Sequence, residues 1–136
     1  MQKLLITGRI PEEGIKNLPK YFKVTYPEKV QLSYDDVLAI IADYEIILAC
    51  GIRADKNFFE NAKKLKFISN FGVGYDNVDL QCAVRHKVIV ANTPTSVTEA
   101  TAELAFGLMI AAMRRITECD RNLRKIPDLK WGLMHN

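Results

Sequence analysis

Two glycines one residue apart, Gly72 and Gly74, are the positions in this sequence best suited to binding an anion. They directly follow a short apolar, strand-like run, Phe67 to Phe71. Glycine lets a backbone turn sharply at little steric cost. Outward-facing N–H groups in such a turn form a concavity that holds a carboxylate or a phosphate without a cationic side chain. The spacing fits two structures, a tight turn that needs glycine only for its backbone angles and an anion-binding loop, and taken alone it favours the tight turn.

The glycine pair does not fit a dinucleotide-binding loop. The third glycine of a G-x-G-x-x-G fingerprint would fall at Asn77, and no long helix follows. The sequence also has no P-loop and no G-x-S-x-G nucleophile elbow. A phosphoacceptor receiver domain would need acidic residues at the ends of the first and third strands. Those positions are Thr7-Gly8 and Ala49-Cys50, which excludes that class.

Side chains suited to acid–base catalysis or metal binding are sparse. The two histidines are His86, expected at a helix end, and His135, next to the last residue. Neither has a carboxylate nearby in sequence that would orient it. Cys50, Cys82 and Cys119 are too far apart for a Cys-x-x-Cys metal or redox site, and we interpret them as reduced, mostly packed thiols. We therefore predict no catalytic residue and no metal site in this chain.

Five short apolar runs alternate with helix-like stretches, and this alternation predicts the fold. The expected strands are residues 3–7, 22–25, 45–49, 67–71 and 88–91. The expected helices are residues 11–18, 33–41, 55–64 and 79–86, of which the last three begin at Ser33, Asp55 and Asp79. Apolar strands separated by helices indicate a parallel sheet covered on both faces. We predict a flavodoxin-like α/β domain over residues 1–95, with ligand sites in the loops at the carboxyl ends of its strands.

A different kind of element follows residue 95. Ser96 and Glu99 have the spacing of a capping box, and the pattern predicts one long helix that ends near Glu118. The segment 104–113 has no polar face, and a helix that is apolar all round is buried on several sides. A five-stranded sheet covers only one of those sides. We therefore predict that residues 98–118 associate with a second copy, as a homodimer or a swapped oligomer.

Composition and charge narrow the class of protein further. The 136 residues are 49% hydrophobic and 26% charged, as expected of a globular chain. No signal-peptide pattern opens the chain, and its longest apolar run, residues 104–113, is too short to span a membrane. The net charge of +3 is smaller than a nucleic-acid site would need. We expect a cytoplasmic protein with no membrane or nucleic-acid partner.

Two segments resemble a known enzyme family. Asn70–Leu80 reads NFGVGYDNVDL and resembles the G-V-G-x-D-N-[IV]-D segment of the D-isomer-specific 2-hydroxyacid dehydrogenases. Val90–Glu103 reads VANTPTSVTEATAE and is similar to that family's N-T-P-x-x-x-T-x-x-[TV]-A-E stretch. The resemblance continues through Ile116 and more faintly to Trp131, so it covers nearly the whole chain.

The resemblance implies a flavodoxin-like substrate domain that faces a Rossmann domain across the active site. It implies that backbone amides at Val73 and Gly74 hold the carboxylate of a small 2-oxo or 2-hydroxy acid. Family positions matching Cys50 or Gly51 line the same pocket, and the one matching Asn92 lies near it. The position matching Thr101 approaches the nicotinamide of NAD or NADP. The apolar helix matches the family's interdomain helix, which also helps to form a dimer.

The match stops before the part of the family that performs the chemistry. In the family, the nucleotide-binding G-x-G-x-x-G begins shortly after the tryptophan matching Trp131, and the Arg, Glu and His of the active site lie beyond it. We therefore interpret residues 96–136 as the start of a nucleotide-binding domain, and we expect this chain alone to be inactive and to bind no cofactor tightly. In the family, the choice between NAD and NADP depends on a residue without a match here, and the choice of acid depends on loop shapes and on further residues without a match.

Three hypotheses about function remain open at this point. The first is that the chain is a portion of an NAD(P)-dependent D-2-hydroxyacid dehydrogenase. The second is a stand-alone module that binds small carboxylic acids without catalysis. The third is a structural subunit that completes another polypeptide carrying the nucleotide-binding half.

Overall fold

Five short strands form a single sheet in which every neighbouring pair is parallel. In the computed structural model, which describes residues 1–125, they are β1 (Lys3–Ile6), β2 (Lys23–Thr25), β3 (Ile46–Ala49), β4 (Phe67–Asn70) and β5 (Ile89–Ala91). Their order across the sheet is β2-β1-β3-β4-β5. This is the order of a flavodoxin-like domain, so the predicted fold class is confirmed.

Four helices connect these strands: α1 (Glu12–Ile15), α2 (Tyr34–Ile40), α3 (Lys56–Asn61) and α4 (Leu80–Arg85). The three predicted caps are present, because the side chains of Ser33, Asp55 and Asp79 each accept a hydrogen bond from the backbone N–H three residues later. α1 is shorter than the predicted 11–18. It gives way to a 3-10 turn at Leu18–Lys20, where Pro19 cannot supply the N–H that a continuing α-helix requires.

The core lies on the face of the sheet that carries Leu5, Ile47 and Ile68. These three side chains are fully buried and adjacent in the strand register. Phe58 and Phe59 of α3 are also buried, and their rings meet edge to face with centroids 5.4 Å apart. Each such side chain contributes roughly 1.5–3 kcal/mol when it is removed from water. This packing fixes the carboxyl ends of β3 and β4, from which the candidate site loops emerge.

The chain separates into two units, residues 1–96 and residues 97–136. The second contains α5 (Thr98–Met113) and α6 (Ile116–Lys125). The interpretation of residues 96–136 as the start of a nucleotide-binding domain stays a prediction, and Trp131 and His135 lie outside the described residues. No helix of residues 1–125 is both long and apolar enough to cross a membrane.

The prediction of one helix to Glu118 was wrong, because the helix breaks at Arg114 and Arg115. Arg115 has a φ of 53°, which is left-handed backbone, and its N–H bonds three residues back to Ala112 rather than four. The predicted cap at Ser96 was wrong as well. α5 begins at Thr98 without a side-chain cap, and the Ser96 hydroxyl donates to the Thr93 carbonyl instead.

Candidate carboxylate-binding site

The loop after β4, residues 71–77, has its carbonyl groups held by the protein. The Gly72 carbonyl accepts a hydrogen bond of 3.0 Å from the Thr93 N–H. The Val73 carbonyl accepts one of 2.8 Å from the Asn92 side chain, and the Gly74 carbonyl accepts one of 2.6 Å from the Asn70 side chain. Three consecutive peptide units are therefore fixed in orientation.

The N–H groups of the same loop are available to a ligand. Within residues 1–125, the Phe71 and Gly72 amides donate to the carbonyls of Ala49 and Asn70, whereas the Val73 and Gly74 amides form no hydrogen bond to the protein. Both residues are exposed at the surface. An unpaired backbone N–H that faces solvent is free to bind an anion. The loop thus offers two such donors side by side.

The loop after β3 lies beside this one, because β3 and β4 are adjacent in the sheet with Ala49 opposite Asn70. Gly51 has a φ of +65°, a conformation that favours glycine. The Cys50 N–H donates to the Thr7 hydroxyl over 2.8 Å, which ties this turn to the end of β1. Burial raises the pKa of the Cys50 thiol, so the group stays protonated near neutral pH and is a poor nucleophile.

Two amide side chains that the sequence analysis did not single out stabilise these loops. The Asn77 side chain donates to the Ile52 carbonyl over 2.8 Å and to Asn70 Oδ1 over 3.1 Å, which links the loops after β3 and β4. The Gln31 side chain donates to the Cys50 carbonyl over 2.7 Å. Asn77 falls within the family segment quoted above, which is the signal that could have singled it out. Gln31 has no such signal, because its partner lies on another loop.

A shallow depression adjoins the same edge of the sheet. It has a volume of about 160 Å³ and is lined by Tyr75, Leu80, Val90 and Asn92. Asn92 therefore lines the depression and also donates a hydrogen bond to the Val73 carbonyl. At this volume the depression is smaller than most ligand pockets and has room only for a small group.

The predicted site residues of the first unit come together in these two adjacent loops and at the end of β5: Cys50, Gly51, Val73, Gly74 and Asn92. Thr101, the predicted cofactor residue, lies on α5 in the second unit and is exposed there. Its contact with a nicotinamide stays a prediction, as do the ligand roles of the other five.

Cationic side chains near the site are already engaged with the protein. The Arg53 guanidinium pairs with Asp55 at 3.2 Å, and the Arg9 guanidinium donates to the Glu28 carbonyl over 3.0 Å. Hydrogen bonding from the Tyr34 hydroxyl lowers the pKa of Asp55, which keeps that carboxylate charged and paired. An anion here would thus be held mainly by backbone N–H groups.

His86 lies away from this edge of the sheet. It follows the last turn of α4, the helix that returns the chain from the carboxyl end of β4 to the start of β5. Its ring packs against Phe59 at a tilt of 37°, with centroids 5.7 Å apart. The described loops at the carboxyl edge thus bring together anion donors without a histidine. This arrangement can bind and orient a carboxylate, but it includes no imidazole for proton transfer.

Comparison with known proteins identifies the family that the chain is similar to. The sequence profile of the D-isomer specific 2-hydroxyacid dehydrogenase catalytic domain matches residues 4–126. The chain is 38% identical over 124 residues to a glyoxylate reductase of Pyrococcus horikoshii, covering 90% of this chain and 37% of the relative. It is 36% identical over 124 residues to a glyoxylate reductase of Thermococcus kodakarensis, with the same two coverages of 90% and 37%.

Solved structures show the same likeness. A protein of Thermus thermophilus superposes with a TM-score of 0.84 at 27% identity, over 98% of this chain and 43% of that one. An NADPH-dependent glyoxylate/hydroxypyruvate reductase of Sinorhizobium meliloti, in complex with NADP and malonate, gives a TM-score of 0.71 at 25% identity, over 97% and 41% of the two chains. The chain thus spans well under half of the length of these relatives. Since the family profile covers nearly all of it, the chain belongs to the D-isomer-specific 2-hydroxyacid dehydrogenase family.

Proposed function

We propose that this chain is the substrate-binding portion of an NAD(P)-dependent dehydrogenase that interconverts small 2-oxo and 2-hydroxy acids. The observation that carries the proposal is the pair of available N–H donors at Val73 and Gly74, at the carboxyl edge of the sheet. Donors to a charged carboxylate form stronger hydrogen bonds than donors to a neutral group. Cys50 and Gly51 then line the bound acid, and Asn92 lies near it on the opposite side of the loop, where it holds the Val73 carbonyl.

The relatives support a short substrate. Two of them are glyoxylate reductases, and a third was solved with NADP and malonate. Glyoxylate carries a carboxylate next to an aldehyde carbonyl, so the two N–H groups would hold the acid end and leave the reacting carbon towards the cofactor. The choice between NAD and NADP belongs to the cofactor-binding part of the enzyme.

We propose that the nicotinamide binds next to the carboxylate site and is held mainly by a part of the enzyme other than the residues described. When bound, the cofactor supplies or accepts the hydride, and the protein supplies orientation. The hydroxyl of Thr101, on the exposed surface of α5, is the candidate contact from this chain. The loop at Gly72 and Gly74 lacks the third glycine of a dinucleotide-binding fingerprint. We therefore expect no tight binding of NAD or NADP by these 136 residues alone.

A titration tests the substrate assignment. Addition of glyoxylate to the ¹⁵N-labelled chain should shift the backbone amide signals of Val73 and Gly74 in a saturable way, with a Kd on the order of 1 mM because two hydrogen bonds provide little more than about 4 kcal/mol. Pyruvate and hydroxypyruvate serve as larger analogues, and chloride at equal ionic strength serves as the control. Absence of any shift with all three acids would refute the proposal.

The same sample tests catalysis. With glyoxylate and NADH, we expect no turnover by the isolated chain, because the carboxyl-edge loops provide no proton donor of the histidine type. Measurable oxidation of NADH, followed by its absorbance, would contradict this part of the proposal.

Binding without turnover also fits a stand-alone carboxylate-binding module or a partner subunit. This alternative is favoured by one observation: the N–H pair and the residues that hold it all lie within residues 1–96.

We further propose that two copies associate through residues 98–118. The large apolar side chains of α5 are mostly exposed, with 64% of Leu104, 61% of Phe106 and 61% of Leu108 accessible to solvent. An apolar surface of this kind on a helix marks an association site.

We also place the protein in the cytoplasm, because Cys50, Cys82 and Cys119 are all free thiols and a reducing compartment maintains that state.

A further inference from the structure

We propose that Asn92 is a positioning residue, which aims the Gly74 N–H at the substrate rather than binding the substrate itself. This inference rests on the proposed function, because it assigns a role in the same carboxylate site. It starts from the contact of 2.8 Å between the Asn92 side-chain nitrogen and the Val73 carbonyl.

Peptide geometry connects that contact to Gly74. In a trans peptide, the carbonyl of one residue and the N–H of the next lie in one plane and point in opposite directions. The peptide bonds of residues 1–125 include no cis bond. A donor that holds the Val73 carbonyl on one side of the loop therefore directs the Gly74 N–H to the other side.

The next residue along the chain does the same for the second donor. The Thr93 N–H holds the Gly72 carbonyl over 3.0 Å, and this fixes the direction of the Val73 N–H. Both N–H groups of the carboxylate site are thus oriented from one short segment, Asn92 and Thr93, which directly follows β5. Asn92 acts through its side chain and Thr93 through its backbone, so only the Asn92 contribution can be removed by a substitution that keeps the main chain intact.

Because residue 74 is glycine, its N–H needs a contact such as that of Asn92 to hold it in one direction. Without a Cβ, the peptide on either side of Gly74 has wide conformational freedom. The Gly74 carbonyl is held separately by the Asn70 side chain over 2.6 Å, so removal of Asn92 frees one peptide plane and leaves its neighbours fixed. The effect should consequently be local to the Gly74 N–H.

Asn92→Ala provides the test, with Asn61→Ala as the matched control. Asn61 also donates its side-chain amide to a backbone carbonyl, that of Asn57 over 2.8 Å, but it lies in α3 away from the site. Residual dipolar couplings in the ligand-free protein should report a changed direction for the Gly74 N–H and an unchanged one for Val73. The Kd for glyoxylate should rise about tenfold, the loss expected for roughly one charge-assisted hydrogen bond.

The outcomes separate this inference from the proposed function. If the wild-type chain does not bind glyoxylate, the proposed function fails, while the dipolar couplings still test the positioning role. An unchanged Gly74 N–H direction in Asn92→Ala refutes the positioning role, even if affinity falls, since that result would make Asn92 a direct ligand. Asn92→Asp is a second variant, which keeps the size of the side chain but replaces its donor with an acceptor. It should reproduce the change at Gly74.

Discussion

At the scale of single residues, Gly8 leaves no room for a side chain beside Cys50. A Cβ added to Gly8 would lie 2.8 Å from the Cβ of Cys50, and neither atom can move without its backbone. We expect Gly8→Ala to lower the free energy of unfolding by about 1–3 kcal/mol, the usual cost of overpacking. Urea denaturation followed by circular dichroism measures this change.

Gly14→Ala is the matched control for that substitution. Gly14 lies in α1, where an added Cβ meets no atom within 4 Å. Alanine is favoured over glycine in a helix, so stability should stay constant or rise by up to about 1 kcal/mol. Equal losses in the two variants would contradict the role assigned to the contact between Gly8 and Cys50.

Residue types alone identified the glycine loop but not the side chains that hold it. Gly72 and Gly74 were found because two glycines after an apolar run have a restricted set of structural uses. Asn70 and Asn77 escaped notice, because an asparagine near a turn is common and its partner, such as the Ile52 carbonyl, lies on another loop. The Asn77 contact depends on the sheet order. The Asn70 contact with the Gly74 carbonyl is local to one loop, but the residue types alone do not distinguish it from an ordinary turn.

At the scale of elements, the start of α2 provides a pH-dependent contribution to stability. The Asp36 carboxylate accepts hydrogen bonds from the Ser33 N–H and from Lys29, both at 3.0 Å. These bonds, the first of them most strongly, lower the pKa of Asp36 from 3.8 to about 2. A lowered pKa means that the stabilisation is complete above the unfolded value and is lost as pH falls towards 2.

We expect Asp36→Asn to flatten this dependence. The thermal midpoint of the wild type should fall between about pH 4 and pH 2, whereas that of Asp36→Asn should start lower and fall less over the same range. Asp35→Asn, one residue earlier in the same helix, removes a carboxylate without removing the cap and serves as the control. Parallel curves for the wild type and Asp36→Asn would argue against the cap as the source.

The helices whose ends depend on local chemistry were predicted well. Ser33, Asp55 and Asp79 cap helices as expected, because a cap needs only one side chain and a nearby N–H. The break between α5 and α6 was missed. Arginine is a good helix former, so nothing at Arg114 or Arg115 signals the left-handed turn that the structure contains.

At the scale of the whole molecule, the exposed apolar side chains of α5 predict self-association. Light scattering at micromolar concentration should give twice the 15.4 kDa mass of the chain. Leu104 and Leu108 are one helical turn apart on the same face, so the double variant Leu104→Glu/Leu108→Glu should give the monomer mass.

Val30→Glu controls for the charge introduced by that double variant. The Val30 side chain is 77% exposed and lies before α2, away from α5 in sequence. Its replacement should leave the measured mass unchanged. A wild-type chain that scatters as a monomer would remove the basis for the proposed association.

β1 lies inside the sheet rather than at its edge, and this has a consequence for how the protein is made. β1 pairs with β2 on one side, but its other neighbour is Ile46 and the residues that follow, 42 positions after Leu4. At roughly 5–20 residues per second, this interval lasts about 2–8 seconds. During that time an apolar strand has one open edge, so the speed of translation from β1 to β3, rather than the stability of the finished fold, sets how long this edge needs protection from aggregation.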